Sequence, residues 1–265
     1  MKDWDIQINY GIKTGFNDAF IISTEKRNEI LSNCKDADER KRTEELIRPI
    51  LRGRDIKRYG YDWAGLWLIA TFPSRHYNIE DYPAVKAYLL SIGKERLEQT
   101  GKSYVINGEK VKARKKTNNK WFETQDSIGY WEDFYKPKIV YPNMTKYLPF
   151  VYDKDGYFTN QKCFIVLTTT PAYLTAFFNS QLFKAMYKDL FPSLGEDRRE
   201  LGKIYMEKVI VKQINQDVEE LFANLVKEIQ TKYSDKLDKQ LNKKIFSLYE
   251  LTDSEIEWVL INNYT

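Results

Sequence analysis

Apolar and polar residues alternate from Trp4 to Ile22 around Gly11 and Gly15, a pattern that predicts a strand, a tight turn and a second strand. The two glycines mark places where the backbone is expected to take angles that other residues avoid. Residues 25–48 are charged and compatible with one helix, which should end before Pro49, because the proline ring disfavours helical angles in the residue ahead of it. Leu66-Trp67-Leu68-Ile69-Ala70 is a short apolar run that fits a buried strand. Tyr82-Pro83-Ala84 opens a helix in which Val85, Tyr88, Leu89, Ile92 and Leu97 recur at helical spacing, with proline in the first turn.

A polar, lysine-rich stretch follows and reads as a long loop or irregular hairpin. Beyond it lies a second β-rich block: Lys138 to Tyr141, Phe150 to Asp153, Tyr157 to Thr159 and Cys163 to Thr168, with Asp153-Lys154-Asp155-Gly156 as a hairpin signal. Pro171 to Leu190 predicts a helix whose wide apolar face carries Leu174, Phe177, Phe178, Leu182, Phe183, Met186 and Tyr187. In the last quarter Val218, Leu221, Phe222, Leu225, Ile229, Tyr233, Leu237, Leu241 and Ile245 fall on one stripe, which predicts a long amphipathic helix or a helix pair. Thr252-Asp253-Ser254-Glu255 has the capping-box pattern that starts a final short helix. The expectation is an α+β fold: a mixed, β-rich domain with inserted helices over residues 1–213, then amphipathic helices over 214–265 that pack on it or dock a partner.

Composition narrows this only slightly. The chain has 265 residues, 42% hydrophobic and 15% aromatic, enough to bury a core. No apolar run approaches the roughly 18–20 residues that cross a bilayer, and the first residues do not resemble a signal peptide, so a cytoplasmic protein without membrane contact is expected. Cys34 and Cys163 are far apart and His76 is the single histidine, so free thiols and no structural metal cage are expected. The net charge is +4, but Lys102 to Lys120 alone holds seven basic residues against Glu109, or +6, which leaves −2 for everything else. Residues 214–265 hold six lysines and ten acids, or −4. A focused basic region beside an acidic tail is the charge pattern of a phosphate-binding face, and equally of a solvated lysine-rich loop.

Several chemistries lack their residues. No two glycines are separated by a single residue, which excludes a dinucleotide fingerprint, and the full Gly-x4-Gly-Lys-Ser/Thr pattern of a Walker phosphate loop is absent. Tyr141-Pro142-Asn143 has one proline and no preceding amide, unlike the Asn/Asp-Pro-Pro-aromatic loop that holds a flipped adenine. No Gly-x-Ser-x-Gly elbow accompanies His76. Glu196, Asp197 and Glu200 near Arg198 and Arg199, and Glu109-Lys110-Val111-Lys112, keep open a metal-dependent nuclease, as a chance-prone match.

Gly11-Ile12-Lys13-Thr14-Gly15 with Phe16 to Phe20, then Arg52-Gly53-Arg54-Asp55-Ile56 within Arg48 to Tyr59, resembles the opening of the TaqI-like C-terminal specificity domain. The likeness continues through Tyr82-Pro83, Trp121-Phe122-Glu123 and Lys136-Pro137-Lys138-Ile139-Val140-Tyr141-Pro142. It ends with the Phe178-Asn179-Ser180-Gln181-Leu182 helix and Leu248-Tyr249-Glu250-Leu251-Thr252. This family is the target-recognition part of adenine-specific DNA methyltransferases and of type IIG, Eco57I-like restriction-modification enzymes. The resemblance implies a chain that reads double-stranded DNA and is not catalytic alone. It would serve a methyltransferase or endonuclease catalytic domain, in the same or another chain, where S-adenosylmethionine and magnesium would bind. The catalytic domain that normally precedes such a region is missing here, so the chain is expected to be an excised domain or to work with a separate partner.

The chemistry of DNA recognition then nominates side chains: arginine pairs with guanine, Asn and Gln with adenine, lysine with phosphate. The candidates are Lys13, Thr14, Arg52, Arg54, Lys57 and Arg58 in the first block, and Asn143 and Lys146 in the second. Lys112, Arg114, Lys115, Lys116, Asn118 and Lys120 join them from the basic stretch, with Asn119, Tyr147 and Trp121 beside them. Arg52 and Arg54 could instead pair with Asp55 and Asp62, and Trp121 and Phe122 could belong to the core. A protein-interaction module, whose acidic C-terminal helices dock a catalytic subunit, is the remaining alternative.

Overall fold

Four antiparallel strands of the computed structural model, which describes residue 1 and residues 6–262, form a sheet in the order Gln7–Tyr10, Cys163–Leu167, Lys138–Pro142, Val151–Asp153. The register sets Ile8 beside Val166, Val166 beside Ile139 and Phe164 beside Tyr141. Those side chains share one face and join the core formed with Phe177, Phe178, Phe183, Phe222, Ile229 and Ile245 of the helices. The other face is buried too: Val140 and Ile165 have no exposure, and Phe134 stacks on Phe158 at 4.8 Å. Burial on both faces explains why Lys138 to Tyr141 and Cys163 to Leu167 read as near-continuous apolar runs.

Contacts divide the chain into two units, the first made of Met1–Gly11, Arg52–Asp62 and Glu132–Thr265, the second of Ile12–Leu51 and Trp63–Trp131. The helices of 214–265 belong to the first, together with the sheet just described. A lysine opens the strand Lys138–Pro142 opposite Asp153. Lys138 is wholly buried, paired with Asp153 and bonded to the Phe134 carbonyl at 2.6 Å, while Asp153 also takes the amides of Asp155 and Tyr157. Burial draws the Lys138 ammonium below the ordinary lysine range, against the pull of Asp153.

In the second unit Leu66–Ile69 lies between Ile47–Leu51 and Ile21–Ser23, antiparallel to both. Helices Thr24–Ser32, Ala37–Leu46 and Pro83–Ile92 accompany it. Buried Glu39 ties them, accepting the amides of Lys35 at 2.9 Å and Ala84 at 2.8 Å.

The α+β class holds, and several local expectations change. Strands Gln7–Tyr10 and Ile21–Ser23 exist, but they pair in different sheets, because the Thr14 hydroxyl bonds Asn17 and a helical turn Asn17–Phe20 intervenes. The start of that expected strand, Trp4 and Asp5, lies outside the described residues. The single helix of 25–48 is two, since Asp36 caps the second by accepting the Glu39 amide at 2.7 Å, and Pro49 sits inside a strand opposite Trp67. Val151–Asp153 pairs with Lys138–Pro142 and not across the Asp153–Gly156 turn.

The helix of 171–190 also breaks in two, Pro171–Phe178 and Gln181–Leu190, at the Asn-Ser step. Ser180 caps the second helix through the Phe183 amide. The Asn179 carboxamide pairs with both backbone groups of Phe150, donating at 2.7 Å and accepting at 3.2 Å. The C-terminal stripe resolves into a pair, Gln216–Thr231 and Asp235–Leu248, and Thr252 and Glu255 form the expected capping box ahead of Asp253–Ile261.

Candidate nucleic-acid interface

The lysine-rich stretch is a regular hairpin, Ser103–Ile106 with Glu109–Lys112, turned by Asn107 and Gly108 at φ 51° and 83°. Two consecutive left-handed residues make the tight turn that matches strand twist, and Asn-Gly is its usual sequence. The register sets Ser103 opposite Lys112 and Val105 opposite Lys110, so these four share the exposed face. Tyr104, Ile106 and Val111 occupy the other, half-buried face. Lys102, Lys115, Lys116, Asn118 and Lys120 are exposed as well. Among the described residues none of the six lysines from Lys102 to Lys120 forms an ion pair.

Arg114 departs from this group. It is 5% exposed, and its guanidinium donates to the carbonyls of Leu97 (2.7 Å), Thr14 (2.9 Å), Glu123 (2.8 Å) and Trp121 (2.7 Å), with the Phe20 ring 4.9 Å away. Burial lowers its guanidinium to about 10, with Glu123 opposing, so it stays charged at neutral pH. Arg114 is therefore a structural staple, not a groove contact. Thr14 is buried in the same assembly, its hydroxyl on Asn17 and its carbonyl taken by Arg114 and Gln125. Lys13 is half-buried near Asp126, whose carboxyl is pushed up by burial and drawn down by Lys13 and Lys115 together. Asn119 donates to the carbonyls of Thr124 and Gln125, and Phe122 is core, packed edge-on against the half-buried Trp121.

The two glycines of the opening differ. Gly15 has φ +79°, as expected. Gly11 does not lie in the left-handed region; it is needed for space, because a Cβ there would fall 2.0 Å from the Asn160 carbonyl oxygen. Sequence reasoning could see the glycine but not the strand end that it lets approach.

In the first unit the Arg-Gly-Arg-Asp-Ile segment divides its cations by role. Arg52 forks onto Asp55, Nε at 3.0 Å and Nη2 at 2.7 Å. Arg58 forks onto Asp238 at 2.6 and 2.8 Å and donates to the Asn179 carbonyl at 2.7 Å. Both guanidiniums are thus engaged in structure, and neither presents a free fork. Arg54 is exposed, and Asp62 lies 3.7 Å from Lys57 rather than beside Arg54. Asn143 is half-exposed; Lys146 and Tyr147 are exposed, the latter at 79%. Of the nominated residues, Lys13, Thr14, Lys112, Arg114, Lys115, Lys116, Asn118 and Lys120 lie in the second unit and the other six in the first.

Sequence reasoning passed over Gln161 and Lys162, exposed in the turn that enters Cys163–Leu167. The signal was there: Asn160-Gln161-Lys162 is a polar triplet set between apolar runs. Among the described residues no group of three or more His, Cys, Asp or Glu comes together as a metal site, and Glu196 pairs with Arg198 at 3.2 Å. Nor is any helix of the described residues long and apolar enough to cross a membrane.

The sequence pattern of the TaqI-like C-terminal specificity domain matches residues 48–211, more than half of the 265. The chain belongs to that family. The specificity domain is also similar in fold to two solved restriction-modification enzymes. One is the type IIL enzyme MmeI, solved in complex with DNA: TM-score 0.63, 12% identity, 99% of this chain and 36% of MmeI covered. The other is the type IIG restriction endonuclease BpuSI: TM-score 0.50, 13% identity, 92% of this chain and 31% of BpuSI covered. The specificity domain thus spans about a third of each. No curated protein sequence matches it significantly.

Proposed function

We propose that this chain recognises a DNA target sequence on behalf of an adenine-specific methyltransferase or restriction-modification enzyme. The observation that carries the reading is the row of exposed, unpaired cations on the 103–112 hairpin and the loop after it, in a chain of the specificity-domain family. A two-stranded ribbon is narrow enough to follow a DNA groove, and lysines without carboxylate partners are free to displace counterions from phosphates. Lys110, Lys112, Lys115, Lys116, Lys120 and Asn118 provide contacts from one unit, with Lys13 at their margin. Arg54, Lys57, Asn143 and Lys146 provide them from the other. S-adenosylmethionine, and magnesium where the enzyme also cleaves, belong in this reading to a catalytic domain in the same or another chain.

Binding of the full chain to random-sequence duplex, followed by fluorescence anisotropy across a salt series, tests the reading. Lys110→Ala and Lys112→Ala together should reduce the slope of log affinity against log salt by about 2. An unchanged slope would show that the hairpin does not meet phosphate.

A further inference from the structure

Three segments of the first unit meet backbone to backbone around Lys162. The Asn143 amide donates to the Lys162 carbonyl at 2.8 Å, and the Asn143 carbonyl accepts the Leu201 amide at 2.9 Å. Asn160 closes the turn, its side chain taking the Lys162 amide at 3.1 Å and its carbonyl the Cys163 amide at 2.9 Å. Gly53 lies so near that a Cβ would stand 3.2 Å from the Lys162 carbonyl oxygen and 3.4 Å from the Pro142 Cβ. The Arg52–Asp55 pair fixes that approach, because the Arg52 amide bonds the Asp55 carboxylate at 2.8 Å and the Asp55 amide returns to the Arg52 carbonyl at 2.9 Å.

Four polar side chains project from this pinned backbone: Arg54, Asn143, Gln161 and Lys162. Arg54, Gln161 and Lys162 are exposed and Asn143 half-exposed, and among the described residues none has a side-chain hydrogen bond or ion pair. Arg52 and Arg58, in the same short segment, are both held by carboxylates. Unpartnered planar groups on a rigid frame suit bidentate readout, since a guanidinium matches guanine O6 and N7 and a carboxamide matches adenine N6 and N7. An ammonium on a flexible stem suits a phosphate.

Resting on the DNA-recognition reading, we propose that Arg54, Asn143 and Gln161 are base-reading residues that determine specificity, with Lys162 as their phosphate anchor. Arg54 reads guanine, and Asn143 and Gln161 read adenine.

The test takes the full chain and the variants Arg54→Ala, Asn143→Ala, Gln161→Ala and Lys162→Ala, each checked for folding by circular dichroism. Each is used to enrich a random duplex pool that is then sequenced. Each reader variant should lose its base preference at one or two positions of the wild-type motif, a guanine for Arg54 and an adenine for the amides. Lys162→Ala should enrich the same motif with a salt slope smaller by about 1. Reader variants that return the wild-type motif with unchanged base preferences would overturn the proposal and leave DNA recognition intact. A wild-type chain that enriches no motif overturns the recognition reading itself, and the base-reading proposal with it.

Discussion

Arg114 separates a structural reading of the basic stretch from a purely electrostatic one. Four charge-assisted bonds join it to the carbonyls of Thr14, Leu97, Trp121 and Glu123, so one side chain holds the glycine turn, the end of helix Lys94–Leu97 and the 121–123 segment. At about 1.5 kcal/mol each, the low end because they share one guanidinium, they give about 6 kcal/mol. The cost of keeping that charge buried, read from the fall of its guanidinium to about 10, is roughly 3 kcal/mol, and it is recovered when the charge is removed. Arg114→Met, which keeps much of the volume, should therefore destabilise the chain by about 3 kcal/mol. Arg114→Lys should lose nearly as much, because three donors on one atom cannot span four carbonyls. The assay is urea unfolding followed by tryptophan fluorescence, since Trp63, Trp67, Trp121 and Trp131 all lie in the unit that Arg114 holds. A methionine variant of unchanged stability, with a DNA salt slope lower by about 1, would refute the staple and make Arg114 a phosphate contact.

Gly11→Ala should abolish stable folding or cost more than about 3 kcal/mol, because the added carbon would overlap the Asn160 carbonyl in the rigid end of a strand; thermal unfolding checks it, and a variant within about 1 kcal/mol of wild type would contradict the close approach. Glu219 accepts the amides of Ala172 and Tyr173, and burial pushes its carboxyl above the ordinary glutamate range against those bonds and Lys154. The folded state then holds the proton more tightly than the unfolded one. The stability of wild type relative to Glu219→Gln should accordingly fall as pH rises through the carboxylate range and level off above it. Urea unfolding at a series of pH values checks this, and a difference that grows with pH would mean that the two amide bonds dominate.

What the sequence made legible follows the range of the interaction. The capping box at Thr252 and Glu255 and the Arg52–Asp55 pair span three residues and were readable from spacing. Arg58 gave no such hint, because its partner Asp238 stands 180 residues away. The same distance effect hid the role of the Asn-Ser step: its spacing looked helical, and only the Phe150 backbone, 29 residues earlier, turns Asn179 into a clamp. Asp36 and Glu39 carried a local start signal for a second helix, but the charged run around them masked it. Asn107-Gly108 likewise marked a hairpin, obscured by its lysines. For the candidate site, charge located the basic stretch, yet charge alone could not distinguish Arg114 from Lys115, since burial depends on the distant carbonyls that surround it.

The most direct measurement is the binding of the full chain to a pool of random duplex DNA at two salt concentrations, with the retained fraction sequenced. Enrichment of one short motif, with affinity falling steeply as salt rises, is the expected result for a target-recognition domain with exposed cations. Salt-insensitive or motif-free retention would contradict it.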